Sequence, residues 1–182
     1  MKKEKIILGI DPGTNIMGYG LVKKNINQIK FLYLDVIILN QIPSHNMKLK
    51  KIFEKTTELI KIFSPNEVAI EAPFFGKNPQ SMLKLGRAQG AAIIATMMNN
   101  LPITEYAPKK IKMAITGNGQ ASKEQVAGML INMLKINEKP KYLDSTDGLA
   151  AAVCHALQNK SINNKNKTSW EQFVKKNPGR IT

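Results

Sequence analysis

The chain is expected to fold as an α/β domain, a five-stranded mixed sheet with helices on both faces. Three observations lead there. Apolar, β-branched runs at residues 5–10, 17–22 and 31–39 follow one another with only brief polar interruptions, the mark of an antiparallel meander. Residues 47–63 then carry apolar side chains at three- and four-residue steps, the period of an amphipathic helix. From residue 67 onward short strand-like and longer helix-like segments alternate, as in sheets whose parallel strands are joined by crossovers.

Each element has a local reason. Ile6-Ile7-Leu8-Gly9-Ile10 is apolar on both faces, as a central strand requires, and runs into a turn at Asp11-Pro12-Gly13-Thr14. Met17-Gly18-Tyr19-Gly20-Leu21-Val22 is the second strand, and the polar Asn25–Asn27 turn leads to the third. In the first helix Leu49, Ile52, Phe53, Thr56, Leu59, Ile60 and Phe63 share one face, with Lys48, Lys51, Lys55 and Lys61 among the polar positions. Pro65 ends it and residues 67–71 form the fourth strand. A right-handed crossover then sets that strand parallel to the first. Asn78-Pro79 reads as an N-cap with proline at the first helical position. The helix it opens runs to Met98 and is apolar nearly all round at Ala91-Ala92-Ile93-Ile94-Ala95. We expect Leu83 and Ala91 to face the sheet, leaving some of Met82, Ile93, Met97 and Met98 for a twofold partner. The alternative is that helices near 110–134 cover that face. A fifth strand at 103–106, helices at 108–115 and 123–134, and an alanine-rich helix from Asp144 to about Leu157 complete the order.

That order is the order of an RNase H-like fold. Residues 1–159 are taken as one RNase H-like domain without internal repeats. Beyond it, residues 160–182 hold six Lys/Arg against Glu171 alone, a basic tail expected to be flexible.

Lys and Arg number 27 against 13 Asp and Glu, a formal charge of +14. An excess of that size favours a polyanionic partner, nucleic acid first, although frequent Lys, Ile and Asn also fit a lysine-rich proteome. Cys154 is the single cysteine, which excludes an intrachain disulfide and a cysteine-rich zinc site; it reads as a small buried side chain. No apolar run reaches membrane-spanning length. Met1-Lys2-Lys3 enters a strand without a cleavable signal, so a cytoplasmic protein is expected.

In this acid-poor chain three acidic sites fall at element ends. Asp11 follows the first strand, Glu71 ends the fourth, and Asp144 and Asp147 open the last helix. Each has a plain reading: a turn for Asp11, capping and the helix dipole for the pair. Glu71 is harder to excuse, because burying an unpaired carboxylate is costly. If the first and fourth strands are neighbours, Asp11 and Glu71 emerge at one edge, and the i,i+3 pair shares a helical face. Carboxylates are natural ligands for Mg²⁺, and two such ions can serve phosphodiester hydrolysis.

Four segments also match a known family. Gly9-Ile10-Asp11-Pro12-Gly13-Thr14 with Gly18-Tyr19-Gly20, Ala69-Ile70-Glu71 with Phe74 and Lys77-Asn78, Leu83-Lys84-Leu85-Gly86, and Asp144-Ser145-Thr146-Asp147-Gly148-Leu149-Ala150 closely resemble the RuvC family of Holliday junction resolvases. The resemblance runs from about residue 5 to residue 157. It implies a homodimer that cuts two opposed strands of four-way junction DNA symmetrically, with Mg²⁺ at two ions per site and Mn²⁺ as a substitute. Asp11, Glu71, Asp144 and Asp147 stand at the family's four catalytic, metal-binding positions. Lys112 and Lys123 look like its DNA-binding bases and Phe74 like its junction-stacking aromatic, with core packing beside Phe75 as the plain alternative. Coupling to the RuvA–RuvB branch-migration complex is implied as well.

Two other classes compete. Asp-x-Gly-Thr turns also cradle phosphate in actin-like and sugar-kinase-like ATPases, but those need two lobes and a second phosphate loop. A non-catalytic nucleic-acid binder of the same fold gains nothing from four acids in its groove.

Overall fold

The computed structural model describes residues 4–73, 78–137 and 140–158. In chain order the elements are β1 (Lys5–Asp11), β2 (Ile16–Lys24), β3 (Ile29–Ile38), α1 (His45–Phe63), β4 (Glu67–Glu71), α2 (Pro79–Met98), β5 (Ile103–Tyr106), α3 (Pro108–Thr116), α4 (Lys123–Leu134) and α5 (Asp144–Gln158). All ten expected elements are present, with ends displaced by one or two residues. The basic tail at 160–182 and Phe74 lie outside the described residues.

The sheet order is β3-β2-β1-β4-β5. β1 to β3 pair antiparallel, while β4 lies parallel to β1 and β5 parallel to β4. The α1 crossover therefore does what its length suggested, placing β4 beside β1 in the register Ile7↔Glu67 to Ile10↔Ile70.

Strand alternation splits the core in two. Leu8, Ile10, Val68 and Ile70 point to one face, where Ile52, Leu59 and Ile60 of α1 and Ala88 and Ala92 of α2 cover them. Ile7, Ala69 and Tyr106 point to the other, against Leu149–Cys154 of α5, Ile111 of α3 and Val126 and Leu130 of α4. The same period of two puts Asp11 and Glu71 on the α5 face, one residue beyond the Ile10↔Ile70 pair.

Glycine decides how close α5 comes. A Cβ built on Gly148 would lie 2.5 Å from Tyr19 Cα, a clash with backbone. Built on Gly9, Gly18 or Gly20 it would run into the backbone of Gly148, Asp144 or Leu149 respectively. The helix therefore rests main chain to main chain on β1 and β2, with Asp144 at the end of β1 that carries Asp11. At its other end the Lys24 ammonium donates to Ala156 O. His155 Nδ1 lies 2.7 Å from the Tyr106 hydroxyl and Nε2 2.8 Å from Glu67 Oε2. An Nε2–H donating to Glu67, with Nδ1 accepting from Tyr106, satisfies both ring nitrogens. Burial alone would push the Glu67 carboxyl up, but hydrogen bonds from Lys5 and His155 hold it below its ordinary value.

The α2 expectation needs correction. Leu83 does not face the sheet: it is 58% exposed, as Ile94, Met97 and Met98 are exposed. The inward line is Ala88, Ala92, Ala95 and Thr96, because small side chains let α2 sit close. Ala91 and Ile93 are only partly buried against that core. Nor do helices near 110–134 cover the outer face, since α3 and α4 lie on the far side of the sheet.

Candidate active site

A cavity of about 710 Å³ opens where the carboxyl ends of β1 and β4 meet the start of α5. Asp11, Glu71 and Asp147 line it, together with Lys109, Lys112 and Lys123, and its inner wall includes Leu85, Ile111, Val126 and Ala150. β1 delivers Asp11 and β4 delivers Glu71. The first turn of α5 delivers Asp147 one turn in from Asp144, whose side chain is more exposed, at 39% against 13%.

Lys123 joins the pair. Its ammonium lies 3.2 Å from Asp144 Oδ1 and 2.6 Å from Asp147 Oδ2. Local chain geometry puts it there. Gly117 caps α3 at φ 73°, in the left-handed region that favours glycine, and turns the chain toward α4. Ser122 then opens α4 with a full capping box, its side chain accepting from Gln125 N while Gln125 returns a bond to the Ser122 N–H. Lys123 is thereby the first helical residue, facing α5.

The electrostatics record several carboxylates held in a confined space. Burial first, then the Glu71 and Asp147 carboxylates, raise Asp11 well above its ordinary value, with Lys123 opposing. Burial and Asp147 push Glu71 up to about 7, against Lys123 and Lys112. Asp147 is also raised by burial, although its hydrogen bond from Lys123 works the other way. For Lys123, burial disfavours the charge, but its hydrogen bonds to Asp147 and Asp144 and the charges of those carboxylates together outweigh it and hold the ammonium above its ordinary value.

Such a set suits a hard divalent cation, which prefers carboxylate oxygen and relieves the crowding of like charge. Softer donors are engaged elsewhere: His155 in the Tyr106–Glu67 network, and the buried Cys154 thiol pushed up by burial to about 11. As the side chains stand, no three acidic, His or Cys groups among the described residues are spaced to hold an ion. The Lys123 ammonium supplies the positive charge between Asp144 and Asp147 instead. Carboxylate rotation and displacement of that ammonium would be needed to admit a metal.

Asp11, Glu71, Asp147, Lys112 and Lys123 thus reach one cavity, with Asp144 joined to them through Lys123. Sequence reading missed Lys109, Gln120 and Gln89, which share the lining. The i,i+3 spacing of Lys109 and Lys112 was a usable signal, as was a single glutamine inside the alanine-rich run of α2.

Residues 7–155 match the family model described as Crossover junction endodeoxyribonuclease RuvC. A protein of that name from Christiangramia forsetii is 59% identical over 182 residues, covering 100% of this chain and 95% of its own. One from Bacteroides fragilis is 54% identical, covering 98% and 97%. The solved structure of Thermus thermophilus RuvC in complex with Holliday junction substrate superposes with a TM-score of 0.78 at 30% identity, covering 86% of this chain and 95% of that one.

Proposed function

The chain belongs to the RuvC family of crossover junction endodeoxyribonucleases, and from that premise we infer that it is a DNA nuclease that resolves Holliday junctions. The observation that carries the chemistry is the convergence of Asp11, Glu71 and Asp147 on one cavity with Lys112 and Lys123.

The family is divalent-metal dependent, and in this reading Asp11, Glu71, Asp144 and Asp147 are the catalytic acids that hold Mg²⁺, two per site, with Mn²⁺ as a substitute. Bound there, the ions would activate water and neutralise charge on the phosphate and the departing oxygen. The chain's own residues do the rest. Asp11 and Glu71 sit on strand ends fixed by the sheet, so their oxygens are pre-positioned. Lys112 and Lys123 attract the DNA backbone and place the scissile phosphate at the cavity mouth. Phe74, directly after the Glu71 strand, is assigned to stacking on a base at the junction. The apolar inner wall limits water around the reacting groups.

Symmetric cutting needs two sites, and a homodimer provides them. Leu83, Ile94, Met97 and Met98 are exposed on α2 and share one helical face with Gly86 and Gly90, on which a Cβ would meet no atom within 4 Å. An apolar stripe with room at its centre suits isologous packing against a second copy. The RuvA–RuvB complex is the partner proposed from family membership. The cytoplasm, where a bacterial chromosome lies, is the proposed compartment. No helix among the described residues is long and apolar enough to cross a membrane.

Four-way, duplex and RNA–DNA hybrid substrates, each with and without Mg²⁺, provide the test. Paired incision of the four-way junction alone is expected. Asp11→Asn, Glu71→Gln, Asp144→Asn and Asp147→Asn should abolish cleavage and leave junction binding intact or tighter. Equal cutting of linear duplex, or full activity in the acid variants, would overturn the reading.

A further inference from the structure

We infer that Gln89 is a positioning residue for the reaction, holding the strand end that carries Glu71; this rests on the nuclease reading above. Gln89 lies on α2, 7% exposed, among small buried residues and beside the cavity. Its Nε2 donates to Glu105 Oε2 at 2.9 Å and lies 3.5 Å from the main-chain oxygen of Glu71. The two amide hydrogens can therefore serve both acceptors.

The location explains why such a tie is useful. β4 ends at Glu71, and the last sheet bond beyond it is Ala72 N–H to Tyr106 O, at 2.9 Å. Pro73 follows and has no N–H to extend the ladder. The Glu71 carbonyl stands at the rim of the cavity, where a donor from outside the sheet can reach it. Gln89 supplies that donor, while Glu105 on β5 fixes the amide from the other side. β4 and β5 are thus both tied to α2 through one side chain. Groups that orient a ligating carboxylate in this way typically matter by about 10–100-fold in metal affinity or activity.

The plain alternative is that Gln89 only fills space. Gln89→Leu separates the two, because it keeps the bulk and removes both donors. Glu105 stands exposed at the sheet edge and can turn to water, so the variant strands no charge. In single-turnover assays with saturating junction, cleavage should fall about 10–100-fold, with junction affinity and thermal midpoint unchanged. Mn²⁺ titrated calorimetrically into the DNA-free protein should bind more weakly by a comparable factor. Glu105→Gln keeps an acceptor for the amide and should remain close to wild type. Wild-type cleavage and Mn²⁺ affinity in Gln89→Leu would overturn the inference, as would a parallel loss of junction binding and folding. Glu71→Gln is run alongside: if it cuts like the wild type, the assignment of Glu71 fails and the inference falls with it.

Discussion

Burial and the Asp147 carboxylate lift Glu71 to about 7, from an ordinary value of 4.5. Between those two values the folded protein holds a proton that the unfolded chain has released. Metal-free protein therefore loses stability as pH rises from about 4.5 to about 7. Glu71→Gln removes that liability: at pH 7.5 in a chelator the variant should be more stable, by about 3 kcal/mol. At pH 4, below the ordinary value, Glu71 is protonated in the folded and the unfolded chain alike, and the difference should nearly vanish. Thermal melts at the two pH values check this, and a wild-type midpoint equal to the variant's at pH 7.5 contradicts it. Saturating Mg²⁺ should reverse the order, because only the wild type keeps all its ligands. The four acids were legible in the sequence because each stands at an element boundary, where side chains face a sheet edge or helix end. The Lys123 bridge was not legible, since it depends on the angle at which α4 leaves Gly117. The residue Gln89 stood out in its alanine-rich run, but its role was not legible for a similar reason, as it is set by how deeply α2 sits on the sheet.

At the scale of elements, the contact between α5 and the sheet is unusually intolerant. Gly148→Ala would set a Cβ 2.5 Å from Tyr19 Cα, and backbone cannot yield as a side-chain tip can. Overpacking of this kind typically costs about 1–3 kcal/mol, or roughly 2–4 °C of midpoint for each kcal/mol in a chain of this size. Because α5 carries Asp144 and Asp147, cleavage should fall by more than stability does; calorimetry beside a junction assay tests both. The outer face of α2 should behave in the opposite way. Ile94→Glu or Met97→Glu, at positions 51% and 58% exposed, should leave the midpoint nearly unchanged and yield a monomer by light scattering that nicks without resolving. A stable wild-type monomer that makes paired cuts would end the interface proposal. Strand and helix order could be read from periodicity, but the facing of α2 could not. A helix rich in Ala and Gly offers several apolar stripes, and only the packed sheet selects among them.

For the molecule as a whole, the charge of +14 and the lysines around the cavity make junction binding largely electrostatic. Each neutralised phosphate releases counterions, so a site using about six of them should lose roughly a thousandfold in affinity between 50 and 200 mM salt. Filter binding or anisotropy across that range measures the slope. Lys112→Ala and Lys123→Ala should each weaken binding, whereas Lys55→Ala should not, because Lys55 stands on α1 and does not line the cavity. An affinity indifferent to salt would contradict this account.

The seat of α5 on β1 and β2 has one more consequence, for the life of the protein in a cell. Asp144 and Asp147 ride on a helix whose main chain touches the strand that ends in Asp11. The helix cannot peel away and leave a sheet that still cuts. With the four acids proposed as catalytic, a chain that is only partly folded, or newly made, lacks half of them in place and should be harmless to DNA. On that assignment, nuclease activity should appear with the finished fold and disappear with it.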